Sequence, residues 1–287
     1  MDRLNIIGAG NVAQSLARQW HAASLLEIGD IYHRPQSQRG EQALQHIGSG
    51  ALTSDMRSMQ AAKLWMIATP DDQIAAVAQQ LAHSKVLRAN DSVFHLSGAL
   101  DSSELEALSP LGVQLSSVHP MMTFQAPLDQ NFANTYCAIE GQDSERLSNA
   151  FHAIGFEAIP IAREHKVLYH LAGVMACNYL TTLAATSSSL LKQCDIEAKQ
   201  HMQILGPIMQ ATLNNLMQGS PSSALTGPIA RGDHDTVAKH LESLQLLAPS
   251  LLPLYHILAK ATLPISQSQG TASPSQLIAI ESLLDRD

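Results

Sequence analysis

Short apolar runs alternate with amphipathic stretches through roughly the first 160 residues of the chain, and from Glu164 onward only the helical period persists. Residues 4–7 form an apolar run ending on glycine, the pattern of a buried parallel strand. Residues 11–23 then place Val12, Leu16, Ala17 and Trp20 at helical spacing. Further strands are predicted over 27–32, 51–52, 64–68, 92–96, 113–118, 136–139 and 156–161, and helices over 42–47, 73–81, 102–108 and 145–154. Strands that alternate with helices in this way predict a doubly wound, mainly parallel α/β sheet over residues 1–162.

Residues 163–287 predict an all-α domain. Its first helix is unusual, because residues 167–191 contain no Lys, Arg, Asp or Glu, whereas a surface helix ordinarily carries a charged face. Such a helix should be buried nearly all round, by neighbouring helices and by those of a second copy of the chain. His170, Asn178, Thr181, Thr182, Thr186 and the Ser187-Ser188-Ser189 run make it too polar for a membrane span of about 20 apolar residues. A helix over 196–218 is expected to break near Gly206-Pro207. The segment 224–233 reads as a loop fixed by glycine and proline, with Asp233 placed to cap the helix 236–246. Another helix starts at Pro249, and Ser273-Pro274-Ser275-Gln276 forms a capping box that opens the last one.

The turn Gly8-Ala9-Gly10-Asn11-Val12-Ala13, between the first strand and the first helix, has the features of a dinucleotide-binding turn. Gly8 permits the tight turn, Gly10 lets the backbone approach a pyrophosphate, Ala13 keeps the helix close to the sheet, and the helix N-terminus points its N–H groups at the phosphates. After strand two come His33-Arg34-Pro35-Gln36-Ser37-Gln38-Arg39, where Arg34, Ser37 and Arg39 offer donors suited to a ribose 2′-phosphate. Asp30 matches the spacing of the carboxylate that NAD enzymes place on the 2′-hydroxyl, but it falls inside the strand and not at its tip, so NADP is favoured. Thr69-Pro70-Asp71-Asp72 follows another strand at the edge where a dinucleotide crosses, and Ile74 could pack against an adenine. A proline-started helix cap accounts for the same residues equally well.

Composition narrows the partners. The chain has 287 residues, 45% of them hydrophobic, and a formal net charge of -8 with no Lys/Arg run, which argues against nucleic acid or an anionic membrane as its ligand. Cys137, Cys177 and Cys194 are odd in number and far apart. That argues against a disulfide framework or CxxC metal site; a reducing cytoplasm is expected, as it is from a start that runs directly into a strand with no targeting segment. The 13 His show no metal-ligand spacing. Candidate catalytic groups are His119 at a strand's carboxyl end, His170 in the uncharged helix, and Asn178 two turns further on. Ser97 at a strand tip, with Thr226 and Arg231 in the 224–233 segment, are the candidate substrate contacts. Arg231 could clamp a carboxylate or simply pair with Asp233.

Taken together, the glycine turn, His95-Leu96-Ser97-Gly98, His119-Pro120 with Thr123-Phe124, Tyr169-His170 with Asn178, and the segment 224–233 resemble the pyrroline-5-carboxylate reductase and 6-phosphogluconate dehydrogenase-like NADP oxidoreductases. The resemblance is strongest to the branch that joins a Rossmann-like domain to DUF2520. It implies an N-terminal Rossmann domain, a helical C-terminal domain, a homodimer and an active cleft between the domains. One departure stands out: related β-hydroxyacid dehydrogenases and ketopantoate reductases carry a proton-donating lysine four residues before the asparagine, and here that position is Val174. His170 could reach the same region and serve instead. The expected activity is reduction of a small keto or imino acid by NADPH. The alternative is a non-catalytic NADP-binding sensor that kept the fold.

Overall fold

The computed structural model describes residues 1–35 and 38–285. It divides into two compact units, Met1–Ala176 and Cys177–Asp287, so the boundary expected at 162/163 falls inside the first unit.

In the first unit the strands are β1 (Asp2–Ile7), β2 (Leu26–Tyr32), β3 (Ala51–Thr53), β4 (Leu64–Ile67), β5 (Ser92–His95), β6 (Gln114–Pro120), β7 (Thr135–Gly141) and β8 (Phe156–Pro160). They form one sheet in the order β3-β2-β1-β4-β5-β6-β7-β8. All neighbours are parallel except β6 and β7. Helices α1 (Asn11–Ala22), α2 (Arg39–Ile47), α3 (Ile74–Ser84) and α4 (Ser144–His152) connect them, with a 3₁₀ stretch at Ser102–Leu111.

Both faces of the sheet are covered, and the strand alternation decides which residue goes where. Leu4, Ile6, Met66 and Phe94 enter one core with Trp20, Phe151 and Phe156, while Ile7, Trp65, Ile67 and Val93 enter the other with Leu81, Leu105 and Leu108. The chain runs from β1 outward to β3 and returns to β4 on the other side of β1. The strand order therefore reverses between β1 and β4, and their carboxyl ends open a crevice of the kind in which such sheets bind ligands. The first unit closes with α5 (Lys166–Gly173), which leads into a π-helical turn, Val174–Asn178.

The second unit is all helical: α6 (Tyr179–Gln193), α7 (Ala198–Gln218), the one-turn helices α8 (Pro221–Ala224) and α9 (Pro228–Arg231), α10 (His234–Leu247), α11 (Leu252–Gln269) and α12 (Pro274–Leu284). Val237, Ala259, Leu263, Leu277 and Ile280 form its core. Asp233 caps α10 by accepting from the Thr236 N–H at 3.1 Å, and Ser273 and Gln276 form the capping box of α12.

One expectation is corrected. Helix α7 runs unbroken through Gly206-Pro207, because a proline removes one N–H and the turns on either side hold the path. The uncharged stretch, expected to be covered in part by a second copy of the chain, is open in the single chain: Val167 and Leu168 are each 66% exposed and Met175 58%. Helix α7 packs along α6, and Leu183 and Leu190 of α6 line an apolar pocket with Leu244 of α10 and Tyr255 of α11. By length and composition Arg163–Gln193 is apolar enough to cross a membrane, with a hydropathy of 1.2.

Candidate functional site

The crevice between β1 and β4 is a cavity of about 830 Å3 lined by Gly8, Ala9 and Gly10 on one side and Ala68, Thr69 and Pro70 on the other. Gly8 is fixed by the fold itself. Its φ is +105°, and a Cβ there would stand 2.6 Å from the Ala68 carbonyl oxygen. Gly10 is different: the protein leaves room for a Cβ, with only the Ala68 oxygen at 3.8 Å, so the reason for a bare backbone lies on the cavity side. The Thr69 hydroxyl oxygen is buried with no hydrogen-bond partner, a polar group that a bound molecule would satisfy.

Beyond β2 the same cavity is lined by His33, Arg34 and Arg39, and by no carboxylate among its lining residues. The Arg34 guanidinium hydrogen-bonds the Gln73 side-chain oxygen and so bridges the β2 end to the turn before α3. Asp30 lies inside β2, as its position in the run indicates. It is used up there, its Oδ2 accepting from the Gln60 N–H at 2.5 Å with Arg3 at 3.7 Å. Ser37 lies outside the described residues.

Three of the expected cofactor contacts have their side chains engaged by the protein. Ile74 is buried in the core, not the cavity, because 74, 77, 78 and 81 form the inward stripe of α3; the cavity meets Gln73, Ala76, Val77 and Gln80. Asn11 donates from its amide to the Phe124 and Gln125 carbonyls at 3.1 and 3.0 Å, tying down the loop after β6. Val12 packs against the core.

A second polar cluster sits at the ends of β5 and β6. His95 is fully buried; its Nε2 donates to the Asp101 carbonyl at 2.9 Å and its Nδ1 accepts from the Ser97 N–H at 3.2 Å, which assigns the neutral tautomer. The Ser97 hydroxyl, expected to meet substrate, is instead an internal hub: it donates to Asp71 Oδ2 at 2.7 Å and accepts from the Leu100 N–H at 3.0 Å. Beneath it Lys166, wholly buried, donates to the Ser97 carbonyl at 3.0 Å and to Ser117 Oγ at 2.7 Å. No carboxylate pairs with this ammonium among the described residues. Glu140 accepts from the Ser102 N–H and hydroxyl at 2.7 and 2.9 Å and meets Arg163 at 3.4 Å.

Above this hub, His119 and His170 lie with ring centroids 5.7 Å apart, and Tyr169 stands edge-on to His119 at 5.7 Å. Gly98 makes the juxtaposition possible. A Cβ there would lie 2.5 Å from His170 Cδ2 and 2.8 Å from His119 Nε2. Nδ1 of His119 is buried and without a partner. Burial, reinforced by the charges of Lys166 and His170, pushes His119 down to about 4. Burial likewise lowers His95 and brings Lys166 to about 8, although Glu140, Asp101 and Asp71 favour the ammonium. His119 is therefore neutral at pH 7 and able to accept or relay a proton.

Asn178, Thr226 and Arg231 belong to the second unit, where all three are exposed. Arg231 stands 3.8 Å from Asp233. Sequence reasoning missed Lys166, Asp71 and Ser117. The available signal was Lys166 itself, the last charge before 25 uncharged residues. Among the described residues no three His, Cys, Asp or Glu could hold a metal ion.

The fold agrees with the family matches. Residues 2–120 match the Rossmann-like domain, and residues 135–262 match the domain of unknown function DUF2520. The chain thus carries a Rossmann-like domain followed by a DUF2520 domain. No curated protein matches the sequence. Among solved structures, a Bacteroides fragilis protein provisionally described as an NADP oxidoreductase shares 22% identity with a TM-score of 0.74, over 92% of this chain and 98% of its own. A reductive aminase from Aspergillus terreus, in complex with NADPH4, cyclohexanone and allyl amine, shares 14% identity with a TM-score of 0.60, over 99% and 93%. A pyrroline-5-carboxylate reductase from Coxiella burnetii shares 14% with a TM-score of 0.57, over 93% and 98%. These likenesses are of fold.

Proposed function

We propose that the protein is an NADPH-dependent reductase of a small keto or imino acid. The observation that carries this is the cavity at the β1/β4 switch point, which joins a glycine turn to His33, Arg34 and Arg39 and has no acidic side chain in its lining. A 2′-phosphate finds donors there, whereas the carboxylate that would receive a 2′-hydroxyl is committed inside β2. The orphaned Thr69 hydroxyl and the open backbone of Gly10 fit a dinucleotide along the same edge. The reductive aminase of similar fold is complexed with a form of this cofactor. Arg34→Ala should weaken NADPH binding by about 1 to 3 kcal/mol, the worth of a charged hydrogen bond, and leave NADH unchanged; fluorescence titration of both cofactors checks it.

Bound NADPH supplies a hydride. The protein must then deliver a proton to the substrate oxygen or nitrogen. His170 takes that role beside a neutral His119, since Val174 occupies the position of the familiar lysine and the Lys166 ammonium is committed to Ser97 and Ser117. A panel of 2-oxo acids, imines and short aldehydes, followed by loss of NADPH absorbance, tests the reading. Turnover that His170→Ala abolishes supports it. Silence across the panel with tight NADPH binding would replace it with the non-catalytic sensor.

The same reading includes a homodimer built on the C-terminal helices. Leu168, Leu171, Met175 and Leu183 leave 66, 45, 58 and 38% of their surface open in the single chain, at about 25 cal/mol per Å2 of apolar area left in water. Sedimentation should give a mass near twice 30.9 kDa, and Leu183→Glu should shift it toward the monomer. A monomer at micromolar concentration removes the dimer from the account.

A further inference from the structure

Lys166 opens α5 with exposed residues on both sides, Glu164 and His165 before it and Val167 and Leu168 after it, so a short reach would carry its ammonium into water. It does the opposite. Its side chain is entirely buried, and its hydrogen-bond partners are a backbone carbonyl and a hydroxyl, with no paired carboxylate among the described residues. Lysine is almost never buried in this way unless something is gained, because an ammonium loses its hydration. The two partners lie 69 and 49 residues away in sequence, on the adjacent ends of β5 and β6, and the residue after Ser97 is Gly98, packed against His119 and His170.

We propose that Lys166 is a positioning residue of the reductase site: its ammonium clamps the Ser97 carbonyl to Ser117, fixes Gly98 against His119 and His170, and places a positive charge behind the two imidazoles. The proposal rests on the reductase reading for its purpose but not for its test. The charged groups around Lys166 are Asp71, held by the Ser97 hydroxyl, Asp101 and Glu140, held near Arg163, and the imidazoles of His95 and His119, with His170 beside the latter. With the ammonium in place His119 is held neutral, by burial first and by that charge second.

Histidine NMR titration of the full chain measures this directly, with the His119 signal assigned by its loss in His119→Gln. Lys166→Gln keeps a hydrogen-bond donor and removes the charge, whereas Lys166→Met removes both. In each, the His119 midpoint should rise from about 4 by about one pH unit, the effect of removing one nearby like charge. The amide variant serves if the methionine variant does not fold. A midpoint unchanged in a folded variant overturns the proposal. Absence of NADPH binding by the unmodified protein, measured in parallel, would instead overturn the reductase reading and leave the midpoint result standing.

Discussion

Gly98→Ala is expected to lower turnover by about 100-fold while leaving NADPH affinity unchanged, since misplacement of a reacting group by about 1 Å costs that much. The backbone at Gly98 needs no special conformation, so the effect is steric. The added methyl would stand 2.5 Å from His170 Cδ2 and 2.8 and 2.9 Å from His119 Nε2 and Cε1, all closer than carbon contacts allow. Both rings must turn or slide away, and the proton donor moves with them. Overpacking of this kind also costs about 1 to 3 kcal/mol of stability. The cavity around Gly8–Gly10 and Arg34 is lined by none of these residues, so cofactor binding persists. Steady-state rates and NADPH titration on the same preparation check the split; loss of cofactor binding together with turnover would mean the two regions are not separable.

The second large effect is on stability in acid. His119 is held down to about 4 in the folded protein, against an ordinary value of 6.5 in the unfolded chain. Between those two values the unfolded state binds the proton and the folded state does not, so acid favours unfolding. Stability is full above 6.5 and falls as the pH drops toward 4. The whole interval amounts to about 3 kcal/mol at 1.36 kcal/mol per pH unit. His95 adds to the loss in the same direction, since burial lowers it too. His119→Gln removes the titrating group, so denaturant unfolding at pH 7 and pH 4 should show the variant losing about 3 kcal/mol less than the unmodified protein. Parallel losses would show that His119 is solvated and charges freely.

Much of the fold was legible because period and punctuation are local. The apolar alternation that places Leu4 and Ile6 on one side of the sheet and Ile7 on the other can be read from four consecutive residues. The caps at Asp233 and Ser273 are readable from side chains three residues apart. The position of Asp30 inside its strand was readable as well, and it bears on the choice of cofactor. Ile74 shows a readable signal misapplied: its stripe with Val77, Ala78 and Leu81 is the core face of a helix, and the cavity takes the neighbouring face of Gln73, Ala76 and Gln80, meeting the stripe at Val77. Lys166 was hidden for a different reason. In sequence it looks like the solvated start of a helix, and only the pairing of β5 with β6 brings Ser97 and Ser117 together above it.

The central claim is that the cavity at the β1/β4 switch point takes NADPH in preference to NADH, through the basic end of β2. Equilibrium titration of the purified full chain with each cofactor, read by nicotinamide fluorescence, tests it most directly. NADPH should bind at least about tenfold more tightly than NADH, the equivalent of about 1.4 kcal/mol from donors on the 2′-phosphate. Equal affinities, a preference for NADH, or no binding of either would contradict it.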